Sequence, residues 1–263
     1  HMSARRQRQM CIRDRPIIMS QGYQIDLNDL RFKYDFQFDP VDENTYKHIS
    51  WPEGHVVEGE PVTLRDYQVE IINKYLATPH CLQEIATGAG KTLVTAALSH
   101  KVEKYGRSIV IVPNKDLVTQ TYADYANLGL DVGVYYGDKK EIGNTHTICT
   151  WQSLNSIRKR YKEGESDLGL AEFADGVVCV IVDEVHQAKA EVLKELLTKD
   201  FSNSPLRWGL TGTIPKADHE KVSLQACLGE VTHRLAASEL QEKDVLSQCH
   251  VKVVQLKEVA EYN

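Results

Sequence analysis

The sequence predicts an α/β fold: a mostly parallel sheet with helices on both faces. Three observations carry this. From residue 61 onward, helical stretches alternate with short β-rich runs, the pattern of strands joined by crossover helices. Two of those runs, IVIV (109–112) and VVCVIV (177–182), are apolar throughout, as strands covered on both faces must be. A glycine-rich turn, TGAGKT (87–92), joins one β-rich run to the next helix.

The elements follow in order from residue 61. Asp66–Leu76 reads as a helix, and CLQEIA (81–86) as the strand leading into the glycine turn. Lys91–Lys104 is a helix, SIVIVP (108–113) a strand and Lys115–Ala126 a helix. DVGVYY (131–136) and HTICT (146–150) are strands, and Gln152–Tyr161 a helix. The polar stretch 161–176 reads as a surface excursion before the strand VVCVIVD (177–183). Ala190–Leu197 is a helix, LRWGLTG (206–212) a strand, and residues 227–256 a closing helix and strand.

Ahead of this region lie two shorter pieces. Residues 1–18 hold five arginines against Asp14, a local charge of +4, and show no apolar periodicity. His1-Met2 looks like an expression scar, and the rest resembles read-through sequence, the functional alternative being a basic arm. Residues 19–60 form a small accessory segment, too short to fold alone and expected to pack on the main domain. In it LRFKYDFQFD (30–39) alternates Leu30, Phe32, Tyr34, Phe36 and Phe38 with polar residues, a period-2 strand signal. PVDENTYKHIS (40–50) reads as a turn and short helix.

Composition excludes several classes. The chain has 263 residues, 42% hydrophobic and 26% charged, enough apolar material for a core. Mean hydropathy is -0.38 and no run of 18 apolar residues occurs, which argues against a membrane span. A net charge of -6 argues against a wholly basic nucleic-acid binder but leaves room for a local binding face. The six cysteines contain no C-x-x-C pair, which argues against a zinc ribbon or redox dithiol. Cys149 and Cys179 sit inside apolar runs, as reduced core cysteines do. The expectation is a cytoplasmic protein, in a bacterial or phage-infected cell.

Two motifs carry chemistry. In ATGAGKT (86–92), Gly88 and Gly90 let the backbone curl so that N–H groups of Thr87, Gly88, Ala89 and Gly90 face phosphate oxygens. The helix starting at Lys91 adds its positive N-terminal end. Lys91 can reach the β- and γ-phosphates, and the Thr92 hydroxyl can ligate Mg²⁺. Ile85 stands where the general motif has its first glycine. The second motif is DEVH (183–186), 92 residues beyond Lys91 counting to Asp183, at the end of an apolar strand. That is the ligand edge of an open parallel sheet. Asp183 would hold Mg²⁺ and Glu184 would polarise the attacking water as general base.

With these in place, LRDYQ (64–68), ATGAGKT (86–92), IVPNKDL (111–117), TWQSL (150–154), DEVH (183–186) and LTGT (210–213) occur in order. The chain resembles the first RecA-like motor domain of superfamily 2 helicases and translocases. Within them it is most similar to the DExH group holding UvsW-type, XPB-type and restriction motor subunits. The resemblance spans about residues 61–257 and accounts for Ile85, because that group does not require the first glycine. It implies ATP and Mg²⁺ as cofactors and DNA, or RNA, bound without sequence specificity. It implies that Gln68 reads the adenine edge beside Arg65 and Tyr67. His186, with Thr211, Gly212 and Thr213, would couple the nucleotide to nucleic acid, a His186–threonine hydrogen bond sensing the γ-phosphate. Pro113, Asn114 and Lys115, then Gly137, Asp138 and Lys139, then Thr150, Trp151 and Gln152 would form the nucleic-acid face. Trp151 could stack a base, but a tryptophan starting a helix is more often a core side chain.

The resemblance also implies a second RecA-like domain supplying arginine fingers. Its motifs do not occur before Asn263, so this length of chain is expected to hydrolyse ATP poorly alone. Other readings are a kinase or AAA-type enzyme, opposed by LRDYQ and DEVH flanking the loop, and a binding-only module derived from such a motor.

Overall fold

The computed structural model describes residues 19–22, 35–165, 169–187, 190–215 and 217–248. Among them, eight strands form one sheet: β1 (His80–Ile85), β2 (Arg107–Val112), β3 (Val132–Tyr136), β4 (Lys139–Lys140), β5 (His146–Thr150), β6 (Val177–Val182), β7 (Leu206–Thr211) and β8 (Glu230–Leu235). Their order is β4-β3-β5-β2-β6-β7-β1-β8. Every neighbouring pair is parallel except the β3–β4 hairpin. The parallel strands therefore end on one edge, after Ile85, Val112, Tyr136, Thr150, Val182 and Thr211.

The helices are α1 (Asp66–Leu76), α2 (Lys91–Val102), α3 (Lys115–Asn127), α4 (Trp151–Lys162), α5 (Leu170–Phe173), α6 (Ala190–Glu195), α7 (Asp218–Leu228) and α8 (Ala237–Glu242). Side-chain alternation along the strands feeds two cores. From β2, Val110 and Val112 face the cluster holding Ile71 and Ile72 of α1, Ala97 and Leu98 of α2, and Tyr125 of α3. Ile109 and Ile111 face the opposite cluster, with Leu154 of α4, Leu193 of α6 and Leu228 of α7. A strand covered on both faces has no position left for a polar residue, which is why the central runs are apolar throughout. No helix of the described residues is long and apolar enough to cross a membrane. Cys81, Cys149, Cys179 and Cys227 are buried and free.

The structure departs from the sequence expectations in several places. Residues 30–34 lie outside the described residues, and 35–38 form no strand. The Gln37 N–H donates to Tyr105 Oη at 2.8 Å, and the Gln37 carbonyl accepts from Tyr105 Oη at 2.7 Å and Lys104 Nζ at 3.0 Å. Its backbone groups are satisfied by side chains, not by a neighbouring strand. The alternating aromatics serve packing instead: Phe36 and Phe38 stack at 5.6 Å and both meet the Tyr105 ring edge-on. Residues 43–48 are successive turns with bonds such as Ile49 N–H to Tyr46 carbonyl, and no helix. Tyr46 is nonetheless buried in the first core and donates to the Ala97 carbonyl of α2. The excursion after α4 is not wholly surface, because Leu170 and Phe173 of α5 are core residues.

Candidate nucleotide and nucleic-acid site

The carboxyl edge of the sheet gathers most of the motif residues. After β1 the chain turns through Gly88 (φ 89°) and Gly90 (φ 76°) into α2. These left-handed positions suit glycine, because a side chain there is strained. A side chain there would also displace its neighbours: a Cβ on Gly90 would lie 2.6 Å from Gln68 Nε2, and one on Gly88 equally close to Leu246 Cδ2. The first turn of α2 leaves backbone N–H groups without helical partners, facing the loop.

Lys91 is 8% exposed. Its ammonium reaches back over the loop, 2.5 Å from Glu184 Oε1 and 3.4 Å from the Ile85 carbonyl. Glu184 follows β6 with φ 47°, a conformation costly for a side-chain-bearing residue. That twist lets one carboxylate hold three groups. Oε1 takes Lys91, and Oε2 accepts the Gly212 N–H at 3.3 Å and lies 3.4 Å from His186 Nδ1. His186 Nδ1 is in turn 2.8 Å from Thr211 Oγ1, which donates to the Thr213 carbonyl. The phosphate loop, the acidic strand end and the β7 end thus form one connected network.

Asp183 is 4% exposed and accepts the Glu184 N–H at 2.9 Å. Burial pushes its carboxyl up to about 6; the charge of Lys91 opposes this and that of Glu184 adds to it. Two carboxylates against one lysine leave this pocket with a negative charge it does not balance itself. Hard oxygen donors of that kind suit Mg²⁺, which takes one or two carboxylates and completes its shell with water and phosphate. Among the described residues no group of three or more His, Cys, Asp and Glu gathers as a metal cage. The donor set and the glycine cradle therefore fit a nucleotide with its cation better than a free-standing metal centre.

Thr92, in the first turn of α2, is buried, and its hydroxyl donates to Asp124 Oδ2 of α3. Sequence reasoning missed Asp124, whose carboxyl burial pushes up while the Thr92 hydrogen bond opposes the shift. Asp124 lies three residues from Thr121 and four from Leu128, both buried in the structure, a setting that its sequence neighbours alone do not announce. Leu246, after α8, was missed as well.

Gln68, 5% exposed, ties the start of α1 to the loop. Its Nε2 donates to the Ala89 carbonyl at 3.0 Å, and its Oε1 accepts the Arg65 N–H at 3.0 Å. The amide keeps one further hydrogen and one lone pair. Arg65 Nη1 donates to Tyr67 Oη at 3.0 Å. Thr87 stands near the end of β7, its Oγ1 3.4 Å from where a Gly212 Cβ would be.

The remaining loops share the same edge. Asn114 caps α3, accepting from the Asp116 and Leu117 amides, and it is exposed with Lys115. The buried Pro113 carbonyl accepts Gln152 Nε2 at 3.0 Å. Thr150 caps α4 by accepting the Ser153 N–H. Gly137 (φ 48°) and Asp138 form the exposed turn into β4, where Lys139 Nζ lies 5.9 Å from the Tyr136 ring centre. Trp151 packs on the second core, with Nε1 buried and lacking a hydrogen-bond partner.

Residues 61–216 match the family described as type III restriction enzyme, res subunit. The chain is 29% identical over 205 residues to the DNA 3'-5' translocase XPB2 of Sulfurisphaera tokodaii, covering 77% of this chain and 42% of that protein. It is 30% identical over 201 residues to the DNA 3'-5' helicase XPB of Mycobacterium tuberculosis, covering 69% and 34%. It therefore spans under half the length of these curated relatives. In fold it is similar to the UvsW helicase of bacteriophage T4, with TM-score 0.60 at 16% identity, covering 84% of this chain and 76% of that one.

Proposed function

The chain belongs to the type III restriction res-subunit family and is a superfamily 2 helicase motor domain, and on that premise we propose that it is the ATP-binding half of a DNA translocase or helicase. The observation that carries the proposal is the single network joining Lys91, Glu184, Gly212, His186 and Thr211. Such a network responds as a unit when a phosphate replaces Glu184 on Lys91.

In this reading the loop N–H groups and the α2 N-terminus cradle the phosphates, and Lys91 leaves Glu184 for the β- and γ-phosphates. Thr92 and Asp183 would hold Mg²⁺, which would supply charge neutralisation on the phosphoryl oxygens. Freed from Lys91, Glu184 accepts the proton of the attacking water. Its other oxygen stays linked to Gly212 and His186, so occupancy of the γ-phosphate position reaches Thr211 and Thr213. Gln68 offers its remaining hydrogen and lone pair to adenine, with Arg65 and Tyr67 alongside. Asn114, Lys115, Gly137, Asp138 and Thr150 hold the sugar–phosphate backbone of DNA without reading bases. A second motor domain, the proposed partner, closes the other side of the nucleotide.

The test is a pair of titrations. The reading expects ATP to bind more tightly with Mg²⁺ than with EDTA. It also expects a labelled oligonucleotide to bind at low salt and to alter ATP affinity, with reciprocal coupling. Nucleotide binding indifferent to Mg²⁺ and to DNA would contradict it and favour a binding-only module.

A further inference from the structure

We propose that Asp124 is a positioning residue for the divalent cation of the nucleotide site, acting through the Thr92 hydroxyl. The inference rests on the reading of Thr92 as a cation ligand given above. It starts from one observation: the Thr92 hydroxyl, buried at the first turn of α2, donates its hydrogen to Asp124 Oδ2 of α3, 32 residues away in sequence.

A hydroxyl has one hydrogen and two lone pairs. Only the lone pairs can bind a cation, and a hydroxyl free to rotate also presents its hydrogen. An acceptor that takes the hydrogen on one side fixes the lone pairs on the other. Asp183 at the strand end has Oδ1 on the Glu184 N–H, which leaves its Oδ2 for the cation in this reading. Asp124 orients Thr92, and Asp183 binds the cation itself. Groups that orient a ligand in this way typically change metal affinity by about 10–100-fold when removed.

The position of Asp124 adds a consequence. It sits on α3, which begins at Asn114 and Lys115, the loop assigned to the nucleic-acid backbone. A shift of α3 on binding DNA moves the acceptor that sets the Thr92 hydroxyl, and so alters the cation site without touching the nucleotide.

The experiment measures the affinity of adenosine 5′-(β,γ-imido)triphosphate by calorimetry, in Mg²⁺ and in EDTA. The ratio of the two affinities is the readout, taken on the 263-residue chain. Asp124→Ala should lower that ratio about tenfold or more, with affinity in EDTA within about twofold of wild type. Asp124→Asn, whose amide oxygen accepts the same hydrogen, should recover most of the ratio. On a Thr92→Val background the Asp124 substitution should have no further effect, as a shared interaction requires. If Asp124→Ala fails to fold, Asp124→Leu fills the volume without an acceptor and is read the same way. An unchanged ratio, or an equal loss in Mg²⁺ and EDTA, would make the bond a staple between α2 and α3 and overturn the proposal alone. A wild-type ratio of one would overturn the nucleotide-site reading and this proposal with it.

Discussion

Glu184 illustrates what a single residue does in this molecule. Its backbone is twisted to φ 47° so that its carboxylate faces Lys91, Gly212 and His186 together. Under the proposed function, Glu184→Gln removes both the negative charge competing with phosphate for Lys91 and the proposed base for the water's proton. ATP affinity should therefore hold or rise. In a protein carrying this domain and a second motor domain, turnover should fall by about 10²–10⁴-fold, the usual size of a general-base contribution. Turnover within threefold of wild type would assign the base elsewhere. Gln68 yields a second prediction. Its remaining amide hydrogen and lone pair match the adenine edge and mismatch guanine, so GTP should compete poorly against labelled ATP. Equal competition by GTP would remove Gln68 as the base reader. At this scale the sequence was informative where residue types are rare in combination, as in GAGKT followed by DEVH. It was silent on Asp124, because an aspartate on an amphipathic helix reads as a solvated one until the neighbouring helix is in place.

Elements are held together by a polar chain that no motif announces. Ser99 of α2, Ser108 of β2 and His146 of β5 are all buried and linked, with Ser108 Oγ 2.9 Å from Ser99 Oγ and 2.7 Å from His146 Nδ1. Tyr125 of α3 joins at Ser99, and Glu103 closes the chain 3.2 Å from His146 Nε2. Burial lowers the His146 imidazole below its ordinary 6.5, opposed by Glu103. A histidine depressed in the folded state is protonated more readily when unfolded. Its contribution to stability is therefore present above about pH 6.5 and lost as the pH falls below that. His146→Gln should be less stable than wild type at pH 7.5 and lose less further stability on going to pH 5.5, followed by melting temperature. Parallel declines in the two proteins would mean that His146 does not titrate in this window. The histidine was hidden because HTICT reads as a strand whatever the polarity of its first residue. The period-2 signal at Phe36 and Phe38 misled for a related reason. Alternation reports which side chains are buried, and here the burying surface is the Tyr105 ring, not a neighbouring strand.

The described residues form one eight-stranded sheet, and the candidate groups converge because its parallel strands end on one edge. That convergence was legible from chain order alone: apolar runs and crossover helices dictate parallel strands, and parallel strands bring Gly90, Asp183 and Thr211 together from far apart in sequence. With a net charge of -6, the proposed function leaves nucleic acid to be held by a few local groups such as Lys115. Oligonucleotide affinity should then fall with salt at a shallow slope, one that reflects few released counterions. Lys115→Ala should flatten it by about one unit in a plot of log affinity against log salt, and an unchanged slope would move the contact off Lys115. The central claim is that the glycine turn and Lys91 hold the phosphates of ATP, and it has a direct test. Calorimetric titration of ATP with Mg²⁺ into wild type and Lys91→Ala should show at least about tenfold weaker binding in the variant, as loss of a charge-assisted contact of about 1.5–3 kcal/mol requires. Equal affinity in the two proteins would contradict the account.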